Sequence, residues 1–134
     1  MISPRPRKKI LIIEDDTSLT EELSEILQDK GYSVDTENNG LTGRKRLEDE
    51  RFDILILDLR LPGLAGEEIL RQARGKNLCE KIIVLSAKPV HDLSMPHPDI
   101  ESSEPLSPPL DQADFVINKP FRIKDLFQAL KRLS

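Results

Sequence analysis

Three short apolar runs recur along the chain, over Ile10 to Ile13, Ile54 to Leu57 and Ile82 to Leu85. Each run is nearly continuous and lacks alternating polar positions, which is typical of strands buried on both faces of a sheet. Two weaker strands are predicted over Tyr32 to Thr36 and over Phe115 to Ile117. The pattern therefore predicts five strands, each too short to fold by itself.

A helix is predicted after the first strand. Asp16, Thr17 and Ser18 offer capping oxygens, with Asp16 expected as the cap, and Glu21 follows Ser18 at the spacing of a capping box. Gly31 supplies a stop signal at the other end. The apolar stripe of this helix consists of Leu19, Leu23, Ile26 and Leu27.

Three further helices are predicted from the same spacing. Their apolar positions are Leu41 and Leu47; Ile69, Leu70 and Ala73; and Ile123, Leu126, Phe127, Leu130 and Leu133. Residues 87–112 hold six of the ten prolines, so a long loop is expected there instead of a helix. Strands that alternate with helices predict an α/β layer fold with a parallel sheet and right-handed crossovers.

Length and composition narrow the class of protein. The 134 residues fit one domain, with residues 1–8 as a leader and residues 9–134 as the globular part. A net charge of −4 and the lack of tryptophan argue against a domain that binds nucleic acid directly. No apolar run approaches the ~20 residues of a membrane helix, and we expect a cytoplasmic protein without membrane association.

Polar residues follow four of the predicted strands. Glu14 and Asp15 follow the first strand, and Asp58, Ser86 and Lys119 follow three others. In an open parallel sheet the carboxyl ends of the strands form the ligand-binding edge. Clustered carboxylates repel each other unless a cation lies among them, and oxygen ligands favour Mg²⁺. With a lysine and a hydroxyl beside them, these residues predict phosphoryl transfer onto a carboxylate.

Four segments carry a family resemblance: ILIIEDD, DILILDLRLPGLAGEEIL, IIVLSAK and FVINKPF. They resemble the CheY-like receiver domain of two-component response regulators, from about Lys9 to Leu133. The resemblance implies a flavodoxin-like (βα)5 fold with strand order 2-1-3-4-5. It also implies a phosphorelay function, in which a histidine kinase or histidine phosphotransfer protein is the partner and a phosphorylated aspartate switches protein contacts. The only chemistry implied is Mg²⁺-dependent self-phosphorylation and self-dephosphorylation, which is not turnover by an enzyme.

The resemblance assigns roles to individual residues. Asp58 matches the phosphoacceptor, Ser86 the switch hydroxyl and Lys119 the active-site lysine, with Pro120 following through a cis bond. The implied Mg²⁺ ligands are Glu14, Asp15, Asp58 and the backbone carbonyl of Arg60. The positions that match the pocket-shaping loop are Pro62 and Gly66.

The sequence also departs from the family pattern. The 32 residues between Ser86 and Lys119 exceed the usual spacing, so the fourth helix is expected to be replaced by the proline-rich loop. The family places an aromatic residue three positions before the lysine, where this chain has Val116, and Phe115 lies one position earlier. Either a bulge turns Phe115 inward or the aromatic switch is absent.

Two alternative functions and one assembly question stay open at this point. The first alternative is a receiver-like binding module whose output does not depend on phosphate. The second is a phosphohydrolase with an aspartate nucleophile, which needs a second carboxylate two residues later, where this chain has Arg60. A homodimer is also compatible with the resemblance.

Overall fold

The computed structural model describes residues 7–61, 63, 65–86 and 113–133. Strands and helices alternate along most of the chain. Their order is β1 (Lys9–Ile13), α1 (Thr17–Asp29), β2 (Ser33–Glu37), α2 (Gly40–Asp49), β3 (Phe52–Asp58), α3 (Gly66–Gly75), β4 (Cys79–Ser86), β5 (Phe115–Asn118) and α4 (Ile123–Leu133). All five predicted strands and all four predicted helices are present.

The strands form one parallel sheet in the order β2-β1-β3-β4-β5. The three strands predicted from continuous apolar runs lie at its centre, and the two weaker strands lie at its edges. Both the fold class and the strand order predicted from the sequence are confirmed. The carboxyl ends of β1 and β3 are neighbours because Ile13 pairs with Leu57.

Both faces of the sheet are buried under helices. On one face, residues such as Leu11, Leu55 and Val84 pack with buried residues of α2 and α3. On the other face, Ile12 and Ile56 pack with buried residues of α1 and α4. Successive strand residues point to opposite faces, so a strand between two helical layers needs apolar residues at every position. This requirement explains the uninterrupted apolar runs of the sequence.

The helix ends agree with the sequence prediction in part. The cap of α1 is Asp16, whose Oδ1 accepts the Leu19 N–H at 3.1 Å, so the prediction of Asp16 as the cap is confirmed and Ser18 does not form the capping box. Ser18 lies inside the helix, because Asp16 already provides an oxygen to the first free N–H groups. After α1, Gly31 adopts a φ of 99°, as its predicted role as a stop requires.

Helix α2 is less regular than its apolar pattern suggests. Leu47 is buried, but Leu41 is 61% exposed and is not part of the core. Asn39 caps this helix through its side chain and places Leu41 in the first turn, which lies at the helix end. Gly43, two residues further along, is buried instead, and a Cβ at this position would lie 2.6 Å from Ile13 Cδ1.

Several sequence predictions lie outside the described residues. These are the proline-rich loop over residues 87–112, the replacement of the fourth helix, most of the leader and the position of Pro62. Across the described ranges, no helix combines the length and the hydropathy needed to cross a bilayer.

Candidate functional site

The carboxyl edge of the sheet brings together the polar residues predicted from the strand ends. Glu14 directly follows β1, Asp58 and Ser86 end β3 and β4, and Lys119 directly follows β5. Glu14 is 1% exposed and Asp58 is 2% exposed, although both carry an ionisable carboxyl group. Burial of such groups is costly unless they are paired, so their partners define the site.

Lys119 connects the two buried carboxyl groups. Its Nζ donates to Glu14 Oε1 at 2.7 Å and lies 3.5 Å from Asp58 Oδ2. Lys119 and Glu14 are 105 positions apart in the sequence. The ammonium is therefore shared, with the shorter contact to Glu14 and the longer one to Asp58.

The remaining oxygens of these carboxyl groups accept backbone N–H groups. Glu14 Oε2 accepts the N–H of Asp16 at 3.1 Å, and Asp58 Oδ1 accepts the N–H of Arg60 at 3.2 Å. Both bonds span two residues of the loop after a strand. They fix the orientation of each carboxyl group relative to its own strand.

Gly66 sets the shape of the loop that follows Asp58. Its N–H donates to the Leu59 carbonyl at 3.2 Å, and a Cβ at this position would lie 2.5 Å from the Asp58 carbonyl oxygen. Only glycine lets the start of α3 approach the backbone of β3 this closely. The distance between the start of α3 and the backbone of β3 could not be predicted from the sequence, because the length of the loop alone does not determine it.

Ser86 and Lys119 are joined through the backbone. The Lys119 N–H donates to the Ser86 carbonyl at 2.8 Å, which continues the pairing of β4 with β5 beyond Asn118. Ser86 is 4% exposed. The serine at the end of β4 and the lysine after β5 are therefore held side by side, as the strand ends predict.

The position three residues before Lys119 holds no aromatic side chain. The pairing of β5 is regular, with Phe115 opposite Ile83 and Val116 opposite Val84, so no bulge moves Phe115 into that position. Phe115 packs with the core cluster of the α1 and α4 side, and Val116 packs with the opposite cluster. Of the two open interpretations, the absence of the aromatic switch is the correct one.

Three carboxyl groups at the site could hold a metal ion. Glu14, Asp15 and Asp58 each offer one oxygen, and these oxygens lie within 4.8 Å of one another. Two opposite ligands of Mg²⁺ are separated by about 4.2 Å, twice the usual Mg–O distance. The donor set contains only oxygen, which suits a hard cation, so the residues fit Mg²⁺. The Asp15 side chain is exposed and reaches this cluster from solvent.

The electrostatics of the site favour an added cation. Burial raises the pKa of Glu14 to about 7, although the hydrogen bond from Lys119 opposes this shift. For Lys119, burial lowers the pKa, but the carboxyl groups of Glu14 and Asp58 outweigh it and raise the pKa above its ordinary value. One ammonium thus faces two buried carboxyl groups and the exposed Asp15, and a divalent ion would relieve this imbalance.

Arg60 and Asp16 lie beside the carboxyl cluster but contribute differently from its acids. The Arg60 backbone lies within the loop after Asp58, and the Arg60 side chain is exposed. Arg60 occupies the position two residues after Asp58, where a phosphohydrolase would need a carboxylate. Asp16 serves as the cap of α1. The Lys119–Pro120 peptide bond is cis, as the sequence resemblance implied.

Comparison with known proteins identifies the family. The model of the response regulator receiver domain matches residues 10–104. This chain belongs to the response regulator receiver domain family. Receiver domains act in two-component signalling, and the family is a signalling family and not one of classical enzymes. The response regulator MprA of Mycobacterium tuberculosis is 31% identical over 126 residues, which are 93% of this chain and 50% of MprA.

Other relatives are longer than this chain. The chain spans about a third to a half of the length of the curated relatives it matches. One of them is the transcriptional regulatory protein QseB of Escherichia coli O157:H7, which is 39% identical over 80 residues. These residues are 60% of this chain and 36% of QseB. Among solved structures, the response regulator TrrA of Thermotoga maritima in complex with Mg²⁺-BeF is 33% identical, with a TM-score of 0.73 and coverage of 95% of this chain and 99% of TrrA. TrrA in complex with the histidine kinase ThkA gives 30% identity, a TM-score of 0.75 and coverage of 94% and 97%.

Proposed function

We propose that the chain is a phosphoacceptor receiver domain that takes a phosphoryl group on Asp58. The observation that carries this proposal is the sharing of the Lys119 ammonium between Glu14 and Asp58 at the carboxyl edge of the sheet. An aspartate beside a lysine and two further acids has the groups needed to accept a phosphoryl group and to balance its charge. The proposed domain covers residues 9–134.

Each residue has a distinct part in the proposed transfer. An Asp58 carboxylate oxygen attacks the phosphorus of a phosphohistidine in line, the P–N bond breaks, and the imidazole leaves with its electron pair and takes up a proton. The Arg60 N–H holds Asp58 Oδ1, so the attacking oxygen is Oδ2, which lies 3.5 Å from the Lys119 ammonium. Lys119 stabilises the charge on the transferred oxygens, and the Ser86 hydroxyl moves toward the new phosphate and donates to it.

Glu14, Asp15, Asp58 and the Arg60 backbone carbonyl are the proposed ligands of Mg²⁺. When bound, Mg²⁺ supplies positive charge that offsets the negative charge of the phosphoryl oxygens. TrrA, a relative whose structure contains Mg²⁺-BeF, supports Mg²⁺ as the ion. We expect saturable heat on titration with Mg²⁺, and we expect this heat to disappear in the Glu14→Gln, Asp15→Asn double variant.

A histidine kinase or a histidine phosphotransfer protein is the proposed phosphodonor. The complex of TrrA with the histidine kinase ThkA supports this class of partner, because TrrA is 30% identical to this chain. The partner's phosphohistidine must reach the carboxyl edge of the sheet, where Asp15 is already exposed to solvent.

Phosphorylation at Asp58 is tested by intact mass. The chain is incubated with acetyl phosphate and Mg²⁺, and we expect a gain of one phosphoryl group that EDTA prevents. Asp58→Asn should show no gain. Asp53→Asn is a matched control on the same strand, because Asp53 lies at the other end of β3 and accepts the Lys9 N–H at 2.8 Å. A mass gain that survives in Asp58→Asn would show that the nucleophile is a different residue.

Lys119→Gln separates the role of the ammonium from that of the nucleophile. The variant keeps Asp58, so it should still be phosphorylated, but on the order of a hundredfold more slowly. The rate of mass gain measures this effect. An unchanged rate would remove Lys119 from the proposed mechanism.

A phosphate-independent binding module is the second candidate function. The observation that favours it is Val116, which leaves the position three residues before Lys119 without an aromatic ring that could respond to phosphate. The two functions are separated by comparing amide exchange and oligomeric state before and after phosphorylation. A change on phosphorylation supports the switch, and identical exchange in a fully phosphorylated sample supports the binding module. The same measurement determines whether a homodimer forms.

A further inference from the structure

A groove separate from the phosphoacceptor site lies between the end of α1, the start of β2 and one face of α4. It has a volume of about 430 Å³. This volume lies within the range of small-molecule sites, which is roughly 300–1,000 Å³. The residues of this α1–α4 groove used below are Lys30, Tyr32, Lys124, Phe127, Leu130 and Lys131.

The groove combines an apolar floor with cationic walls. Leu130 is buried beneath it, and Phe127 and Tyr32 are half-buried, so each ring keeps part of its surface accessible. The Lys30 ammonium lies 5.2 Å from the centre of the Phe127 ring. At this distance a cation and the face of an aromatic ring attract each other.

The lysines are distributed along the length of the groove. Lys124, Phe127 and Lys131 are spaced by three and four residues, which places them on one stripe of α4. Seven residues of helix span about 10 Å, so the backbone positions of Lys124 and Lys131 are separated by that distance along α4. Lys30 adds a third cation from α1, opposite the middle of the stripe.

This positive charge contrasts with the rest of an acidic chain. The chain has a net charge of −4, but none of the described residues that line the groove is acidic. Within the ranges that the structure describes, no carboxylate lies in ion-pair distance of the Lys30 or Lys124 ammonium. By contrast, Arg46 is paired with Asp35, Glu37 and Glu50. The groove therefore has the charge to attract an anion.

We propose that the α1–α4 groove binds a small organic anion that carries an aromatic ring, such as a nucleoside monophosphate or an aryl phosphate. The ring packs on Phe127, Tyr32 and Leu130, and the anionic group pairs with Lys30 and Lys124. Neither the ring nor the anionic group alone explains selective binding. An exposed ion pair contributes little free energy, and an apolar contact gives no preference for a charged ligand.

The proposal is tested by an amide-resolved NMR titration of the full chain in EDTA, with AMP, adenosine and inorganic phosphate as separate probes. EDTA removes divalent ions, so a failure of the proposed phosphorylation does not affect the result. We expect AMP to give saturable shifts at Lys30, Tyr32 and along α4, with half-saturation at or below about 1 mM. Adenosine and phosphate should each shift the same amides with lower affinity.

Matched variants complete the test. The double variant Lys30→Gln, Lys124→Gln should weaken AMP binding at least about tenfold, because both lysine contacts to the anionic group are lost. Lys45→Gln removes an exposed lysine of α2 outside the groove and should leave AMP binding unchanged. The proposal is overturned by non-saturable shifts, by shifts centred on Lys119, by equal affinity of the two variants, or by a glutamate-rich peptide that saturates the groove when AMP does not.

Discussion

Replacing Gly66 by alanine should destabilise the chain although alanine is the better helix former. A Cβ at this position would lie 2.5 Å from the Asp58 carbonyl oxygen and 2.6 Å from Leu59 Cα, both of them backbone atoms. Backbone in the centre of a packed sheet cannot move aside as a flexible side chain does, so α3 or the loop must shift. Overpacking of this kind costs about 1–3 kcal/mol.

Gly75 provides a matched control in the same helix. Nothing lies within 4 Å of a Cβ built at Gly75, and the residue ends α3. Gly75→Ala should therefore be neutral or should stabilise the chain by up to about 1 kcal/mol, as helix propensity predicts. The two identical substitutions in one helix should thus differ by about 1–4 kcal/mol in the free energy of unfolding.

Urea unfolding followed by circular dichroism measures this difference. Linear extrapolation gives the free energy of unfolding of each variant, provided that the two transitions have equal slopes. A second measurement links stability to the site, because a shifted loop moves Asp58 and should weaken Mg²⁺ binding in Gly66→Ala alone. If Gly66→Ala is as stable as Gly75→Ala, the close approach of α3 to β3 is not a constraint and the reasoning fails.

Three further predictions concern the pH response, the thiol and the core. In EDTA, the free energy of unfolding should fall between pH 4.5 and about 7 relative to that of Glu14→Gln. Burial raises the pKa of Glu14 to about 7, so the protonated carboxyl group stabilises the fold fully only below its ordinary pKa of 4.5. Urea unfolding measures this, and the same pH dependence in both proteins would contradict the prediction. Burial raises the pKa of Cys79 to about 11, so a thiol reagent at pH 8 should label the native chain far more slowly than the urea-unfolded chain, and equal rates would disprove the burial. Leu70→Ala should cost about 2–5 kcal/mol and the exposed Leu41→Ala less than about 0.5 kcal/mol in urea unfolding, a difference that vanishes if Leu70 is not in the core.

The architecture was predictable because hydrophobic burial determines it. A central strand between two helical layers needs apolar residues on both faces, and Ile10 to Ile13 show this directly in the sequence. Edge strands need fewer apolar residues, so the predicted Tyr32 to Thr36 differs by one position at each end from the observed Ser33–Glu37. Details that depend on single hydrogen bonds, such as the Asp16 cap, were less predictable because neighbouring residues offer similar oxygens.

The candidate site was predictable to the extent that strand ends converge. The order of a parallel sheet brings Glu14, Asp58 and Lys119 to one edge, and the sequence order of those residues suffices to infer it. Distances that depend on tertiary packing could not be inferred. Gly66 against the β3 backbone and the α1–α4 groove both arise from contacts between segments that carry no shared sequence pattern.

Charged residues show the same limit. The run Arg44, Lys45 and Arg46 suggests a solvated helix face, but only Lys45 fits that interpretation well. Arg46 is half-buried and pairs with acids from β2 and from the end of α2, which ties the edge strand to the helix layer. Sequence spacing within α2 predicts pairs such as Arg44 with Glu48, but not pairs with another strand.

The position of Lys119 bears on how a receiver without the aromatic residue could respond to phosphate. Its backbone N–H is bonded to the Ser86 carbonyl, so the backbone at the end of β5 stays attached to β4 while the side chain changes partners. The ammonium is closer to Glu14 than to Asp58, and a phosphoryl group on Asp58 would add negative charge on the more distant side. The added attraction of Lys119 and of the Ser86 hydroxyl to this charge would not depend on the residue at the position of Val116. Under the proposed function, a conformational response to phosphorylation would therefore depend on how much more strongly these two groups bind phosphate in the active form, a coupling of typically 1–3 kcal/mol.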